Sequence, residues 1–401
     1  MTRLFTIPEL DLDDHQAVDG VHGMRRELAS VLRAPRRWGG GLRRTTQARA
    51  IQGSNSIEGY SVSDQDAVAA VEDEAPLTAD QQTWAEILGY RRVLTYVLQV
   101  ATSPGFRIDP MTLRAMHFML LEHDLTKSPG QYRQRAVYVR DDVTDTTVYE
   151  GPDSELVPEL MEALVDDLSS NRDADALVRA AMAHLNLVMI HPFRDGNGRM
   201  ARALQTMVLA QDAVIEPTFS SIEEWLGANT TDYYRVLAAT GRGSWHPEND
   251  AHLWLKFNLR AHHMQAQTLQ RRFAEAEELW TSLDGLIAEH RLPERVSDPL
   301  FDAVLGLRVQ RSTYIKRTEL EQRTATRDLA HLAELGLLDP VGQTRGRYYL
   351  AGERLRQLRA AARSTRQPLE DPYPGLMDEV RRVNPVVTRN VSGVTSDEGG
   401  R

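Results

Sequence analysis

The stretch "HPFRDGNGRMAR", His191 to Arg202, decides how this chain folds around its chemistry. It follows "ALVRAAMAHLNLVMI", an apolar helix expected to end near Ile190, so His191 falls on a short loop at a helix exit. Gly196, Asn197 and Gly198 each take positive φ cheaply, letting successive backbone N–H groups point into one concavity that suits an anion. A helical pattern resumes at Arg199 in "RMARALQTMVLAQ", adding the positive end of a second helix. Arg199 and Arg202 are three apart and share one face of its first turn. Cations there oppose the macrodipole, so an anionic ligand is the expected compensation. Asp195 beside a phosphate nest suits Mg²⁺, a hard ion that favours one carboxylate plus phosphate oxygens. His191 faces the phosphates as the nearby group able to accept a proton at neutral pH. Phe193 is assigned to the core as the anchor of the loop.

Working outward, 401 residues predict two or three domains. With 41% hydrophobic and 26% charged residues the chain has the composition of an ordinary soluble globular protein. "MTRLFTIPELDLDD" meets acid where a secretory signal needs an apolar run, and "AAMAHLNLVMI" is far shorter than the ~20 residues of a membrane span. No membrane partner is expected. The absence of cysteine excludes disulfides, thiol catalysis and Cys-ligated metals, and suits a cytoplasmic protein. A net charge of −10 argues against a chain coated in nucleic acid, while leaving room for local basic patches.

Helical periodicity dominates, and two places read as strands. One is "RAVYVRDDVTDTTVYEGP" (Arg135 to Pro152), a hairpin around a polar tip; the other is "GRYYL" (Gly346 to Leu350). The expected organisation is a helical N-terminal region over 1–104, broken at "VEDEAPLTADQQ", then a dense helical core over 105–260. A connecting helix over 261–296 follows, its body the Glu/Ala/Arg-rich run His262 to His290. Residues 297–360 suggest a winged helix-turn-helix. There "FDAVLGLRVQRSTYIKRTEL" supplies one or two helices, "TATRDLAHLAELGLL" a second or recognition helix, and "GQTRGRYYL" a wing. Gly306 to Ala360 holds eleven Lys/Arg against six Asp/Glu, a basic field inside an acidic chain that suits either DNA or protein contact. The tail over 361–401 is rich in Pro, Gly and Ser after Pro368 and is expected to be mobile at its end.

"HPFRDGNGRMAR" matches the motif H-x-F-x-[D/E]-G-N-G-R-x-x-R at every defined position, and the chain thereby resembles the Fic family. The resemblance implies a mainly α fold: an all-helical Fic core with a β-hairpin flap, an N-terminal helical region and a C-terminal winged helix-turn-helix. It also implies a protein adenylyltransferase that moves AMP from Mg²⁺-bound ATP to a Tyr, Ser or Thr hydroxyl of a target protein, self-modification included. Carried over, His191 would be the general base and Asp195 the Mg²⁺ ligand. Gly196, Asn197 and Gly198 would form the anion hole, with Arg199 and Arg202 on the outer phosphates. "GQYRQRAVYVRDD" from Gly130 matches the G-x-Y-R that opens the family's flap, with Val137, Tyr138 and Val139 as flap residues. Such a strand edge registers a target segment by β-augmentation. "NTTDYYRVLAAT" matches the nucleoside pocket, where Tyr234 is the chosen residue; Tyr233 and Tyr234 fit a core equally well. Relatives of this layout are often dimers, so the resemblance admits a homodimer while the sequence leaves the oligomeric state open. Two alternatives stay open: AMP removal or another nucleotidyl or phosphoryl transfer at the same site, and a nucleotide-sensing regulator that binds DNA.

The stretch "SNSIEG", Ser54 to Gly59, then acquires a meaning. A helix stopping at Gly59 puts Glu58 in its last turn, where the macrodipole penalises an anion by about a few tenths of a kcal/mol. Ser54, Glu58 and Gly59 fit the inhibitory pattern [S/T]-x-x-x-E-[G/N], and the resemblance implies that Glu58 pairs with Arg202 and blocks the γ-phosphate. An inhibitory segment N-terminal to the core is the arrangement of the class II members.

Overall fold

Caps written into the sequence set several helix starts. Asp80, Asp109 and Asp175 accept backbone N–H groups of Thr83, Thr112 and Leu177 at 2.9, 2.6 and 2.8 Å, satisfying donors that a helix start leaves bare. The computed structural model describes residues 4–33, 36–140, 146–212, 215–343, 347–364, 366–383 and 394–395. It is mainly α. In chain order come α1 (Leu12–Arg33), α2 (Gly39–Ile57), α3 (Asp64–Val71), α4 (Gln81–Val100) and α5 (Pro110–Leu121). The hairpin β1 (Tyr138–Arg140) and β2 (Thr147–Glu150) follows, then α6 (Val157–Ser170), α7 (Ala176–Ile190), α8 (Asn197–Asp212), α9 (Glu223–Ala228) and α10 (Thr230–Gly241). The long α11 (His252–Glu289) leads to α12 (Ser297–Leu305), β3 (Val309–Gln310), α13 (Arg311–Thr318) and α14 (Gln322–Glu334). β4 (Leu338–Val341), β5 (Tyr348–Ala351), α15 (Glu353–Ser364), α16 (Leu376–Val383) and β6 (Val394–Thr395) complete it.

These elements divide into two compact units. One comprises Met1–Ser30, Gln47–Ala266 and Glu370–Arg401; the other comprises Val31–Thr46 and Gln267–Leu369. In the first, α7 is buried on nearly every side, which explains why its sequence is apolar all round rather than amphipathic. The hairpin is antiparallel, with Val139 opposite Tyr149, and β6 pairs with the other side of β1. Its polar tip, residues 141–145, lies outside the described residues, as does the far end of the tail. Part of that tail is ordered: Arg260 grips Asp371 through Nε and Nη2, and α16 packs its apolar side into the core.

Among its described residues the second unit contains three short strands where sequence reasoning expected one. Their order is β3-β5-β4, all antiparallel. β4 escapes notice because Pro340 interrupts it, and a proline is tolerated there only because β4 is an edge. β3 is too short, at two residues, to show a period. Arg295 binds Asp328 through Nε and Nη2 at 2.6 and 2.9 Å, and Tyr314 donates to the same carboxylate at 3.1 Å, which ties α13 to α14.

One contact in the first unit positions α2. A Cβ placed on Gly53 would lie 2.4 Å from the carbonyl oxygen of Glu223 and 2.8 Å from Cα of Glu224. The reciprocal position Gly227 would put its Cβ 2.7 Å from Cα of Gly53. Two glycines thus let α2 and α9 touch backbone to backbone. Gly53→Ala is expected to lower stability by about 1–3 kcal/mol, read as an earlier midpoint in urea; an unmoved midpoint would mean the helices have slack.

Candidate active site

α7 ends where His191 turns into the left-handed region, at φ 51°, uncommon for a residue with a side chain. Its Nδ1 lies 2.8 Å from the carbonyl of Val188. A carbonyl only accepts, so Nδ1 carries the proton and Nε2 keeps its lone pair. Burial, aided by the charge of Arg133, pushes the imidazole down to about 4, so it is neutral at pH 7.

Arg133, the last residue of "GQYR", clamps this turn to the hairpin. Its Nε donates to the His191 carbonyl at 2.8 Å, and Nη2 donates to Pro152 and Ile190 at 2.5 and 3.3 Å. Both ends of the flap therefore hang on one buried guanidinium.

Past His191, Asn197 braces the loop rather than opening it. Its Oδ1 accepts from the N–H of Phe193 and its Nδ2 donates to the Phe193 carbonyl, each at 2.9 Å. Positive φ occurs at Gly196 alone of the three nest candidates, because Asn197 and Gly198 already belong to α8. The converging N–H groups come from a helix start, which needs no left-handed residues. Gly198 must still be small: a Cβ there would sit 2.5 Å from Glu58 Oε1. Behind the loop, His117 stacks on Phe193 with centroids 3.8 Å apart. Its Nε2 donates to the Asp195 carbonyl at 3.0 Å and its Nδ1 accepts from the N–H of Gly130 at 2.8 Å.

The charged groups of the site pair among themselves. Arg202 donates from Nε to Ser54 Oγ at 2.9 Å, and from Nη2 to the Ser54 carbonyl at 2.9 Å and Glu58 Oε1 at 2.6 Å. Glu58 sits just past the end of α2, and Gly59 follows it at φ 86°. Arg199 Nη1 meets Glu86 of α4 at 2.5 Å. Lys127 bridges Glu86 and Asp195 at 2.8 and 2.7 Å. Burial pushes the Glu86 carboxyl up, but Arg199 and Lys127 outweigh it and hold the group at about 2. The same two cations keep Asp195 below the usual carboxylate range against the effect of burial. Nε of Arg199 and Nη1 of Arg202 are buried without a hydrogen-bond partner among the described residues.

Both arginines, Asp195 and His191 line a cavity of about 530 Å³ that also reaches Glu58, Val139 and Tyr234. A second, more apolar cavity of about 630 Å³ continues from it, sharing Val139, Val188, His191, Tyr234 and Leu237. Val139 therefore faces the site, whereas Val137 is buried beneath the hairpin. Tyr234 lines both cavities and donates to the Ile57 carbonyl at 3.2 Å; Tyr233 is buried against His184, 2.9 Å from its Nε2.

Residues 107–209 match the family model described as Fic/DOC family. This segment is a Fic/DOC family domain. Over 201 residues, 49% of this chain and 44% of the relative, the chain is 30% identical to the protein adenylyltransferase Fic of Nematostella vectensis. Over 255 residues, 61% of this chain and 46% of the relative, it is 26% identical to the protein adenylyltransferase fic-1 of Caenorhabditis briggsae. The chain thus spans less than half the length of these two curated relatives. A Fic family protein from Desulfovibrio desulfuricans shares the fold, with a TM-score of 0.54 over 86% of this chain and 98% of its own at 21% identity.

Sequence reasoning named the Fic loop but missed Glu86, Lys127 and His117, and quoted Arg133 without a role. Glu86 and Arg199 are 113 residues apart, and no local pattern marks such a pair. Arg133→Ala is expected to loosen the flap, with hydrogen exchange at Gly151 N–H, which bonds the Val137 carbonyl at 3.1 Å, rising about tenfold or more. Arg133→Lys should rescue this only in part, since an ammonium lacks the fork. Unchanged exchange would show that the hairpin holds without the clamp.

Proposed function

We propose that the Fic domain transfers AMP from ATP to a hydroxyl of a protein, and that Glu58 holds it inactive. One observation carries the reading: two buried arginines line the cavity, each with a guanidinium nitrogen lacking a partner. A buried unsatisfied donor costs about 1–3 kcal/mol, and phosphate oxygens are the ligand atoms that satisfy it. The polar cavity takes the phosphates; the apolar one, between Val139 and Tyr234, takes the nucleoside.

In the reaction the target hydroxyl oxygen attacks the α-phosphorus in line. Nε2 of His191 takes its proton, and the bond to the β-phosphate oxygen breaks to release pyrophosphate. The backbone N–H groups at the start of α8, with Arg199 and Arg202, stabilise the charge that shifts to the leaving oxygens. Asp195 suits a magnesium ion: its carboxylate is already within 2.7 Å of a cationic nitrogen and is partly open to the cavity. Such an ion would neutralise phosphate charge. The brake follows from Arg202, whose Nη2 cannot serve Glu58 and a γ-phosphate together. In the second unit, the order α12, β3, α13, α14, β4, β5 and the exposed Lys316, Arg323 and Arg327 support a winged helix that contacts a partner.

With ATP labelled at the α-phosphate, Glu58→Gly is expected to raise covalent label on protein at least about tenfold, and adding His191→Ala to abolish it. Label that is equal in wild type and Glu58→Gly defeats the brake; label surviving His191→Ala defeats the base. The pH profile has a definite sign. A base whose folded pKa is lowered to about 4 loses function only as pH falls through that value, so kcat/KM of Glu58→Gly should be level over roughly pH 6 to 8. An acid limb near the ordinary histidine value would contradict the buried, neutral imidazole.

A further inference from the structure

Asp195 is the one candidate cation ligand of the loop, and a cation already sits on it. Lys127 comes from the short turn Leu125–Lys127, outside the motif, and its Nζ lies 2.7 Å from Asp195 Oδ2. The turn is fastened to the motif loop, because Arg194 Nη1 donates to the Thr126 carbonyl at 3.0 Å. The lysine is largely covered, with 19% of its side chain exposed, so the pair is poorly screened by water. Its second partner is Glu86, at 2.8 Å, which is 1% exposed and also holds Arg199. An ammonium and a divalent ion cannot both lie against one carboxylate oxygen, since like charges at that spacing repel strongly in a covered site.

We propose that Lys127 is a resident counter-ion that occupies the cation position at Asp195 and must leave it before a divalent metal ion binds, so that Lys127 sets the metal affinity of the site. Glu86 gives the displaced ammonium a place to go. Lys127 already touches it, so a side-chain rotation that keeps that contact is enough, and the buried carboxylate stays compensated throughout. The metal's use in catalysis rests on the adenylyl-transfer reading; the competition between Lys127 and a divalent ion does not.

The test measures Mn²⁺ binding without nucleotide, from the loss of the free-ion electron paramagnetic resonance signal, on the full chain. Lys127→Met is expected to bind Mn²⁺ about tenfold more tightly than wild type. Lys127→Arg, which keeps the charge, should stay near wild type, and Asp195→Asn should lose the site. Unchanged or weaker binding by folded Lys127→Met overturns the proposal, as does tight binding that survives Asp195→Asn. If Lys127→Met fails to fold, Lys127→Gln answers the same question while keeping a donor for Glu86. The two readings fail separately. Tighter Mn²⁺ binding with no AMP transfer by Glu58→Gly removes the transferase reading alone, and transfer with unmoved Mn²⁺ affinity removes the Lys127 assignment alone.

Discussion

A guanidinium stays charged at any pH a protein survives, and Arg202 is carried inside regardless. α8 is buried at every residue from Arg199 to Ala210, more than three turns, so it has no face open to solvent there. Arg202 therefore goes in with its neighbours, its side chain 0% exposed. Leaving such a charge without a partner costs about 3–5 kcal/mol, a large part of an ordinary domain's stability. The fold answers by bringing α2 across it, close enough for Ser54 and Glu58 to accept its protons. The glycine contact between α2 and α9 is the steric condition for that approach.

Arg199, Arg202 and Lys127 face Glu58, Glu86 and Asp195, three cations against three carboxylates, so the site neutralises itself. This explains how two arginines and a lysine coexist around one cavity. On the proposed function, a nucleotide cannot simply be added to such a site. A polyanion entering the cavity competes with carboxylates already seated on the same donors, and its charge must displace at least one of them. Of the two carboxylates seated on the arginines, Glu58, with 24% of its side chain exposed, can retreat to water; Glu86, at 1%, cannot. On the proposed reading, the difference in exposure suits one carboxylate to the brake and the other to a fixed brace.

The loop geometry was legible because its residues lie within twelve positions and follow local rules: a helix exit, a tight turn, a helix start. Pairing of Glu58 with Arg202 was legible only through the family pattern, since a last-turn acid alone names no partner. Local reasoning overstated the turn, expecting three positive-φ residues where a helix start needs only Gly196. It could not reach Glu86 or Lys127, whose partners are set by how α4 and the turn before the flap pack. The small sheet of the second unit was partly hidden, because Pro340 reads as a break until the strand is known to be an edge.

The oddity of Glu58, an acid where the end of α2 is itself negative, has a physical use. The dipole penalty is roughly 0.3–1 kcal/mol, while a charge-assisted hydrogen bond to a buried arginine contributes about 1.5–3 kcal/mol. The second outweighs the first, so the contact holds while Arg202 is free to pair with Glu58. In the proposed reaction, a phosphate on Arg202 would remove that compensation and leave only the penalty, joined by repulsion from the ligand. An acid placed at a favourable helix position would lack that bias and would tend to stay. The unfavourable placement favours a reversible contact, and the proposed brake, which must yield to a competing anion, needs that property more than it needs strength.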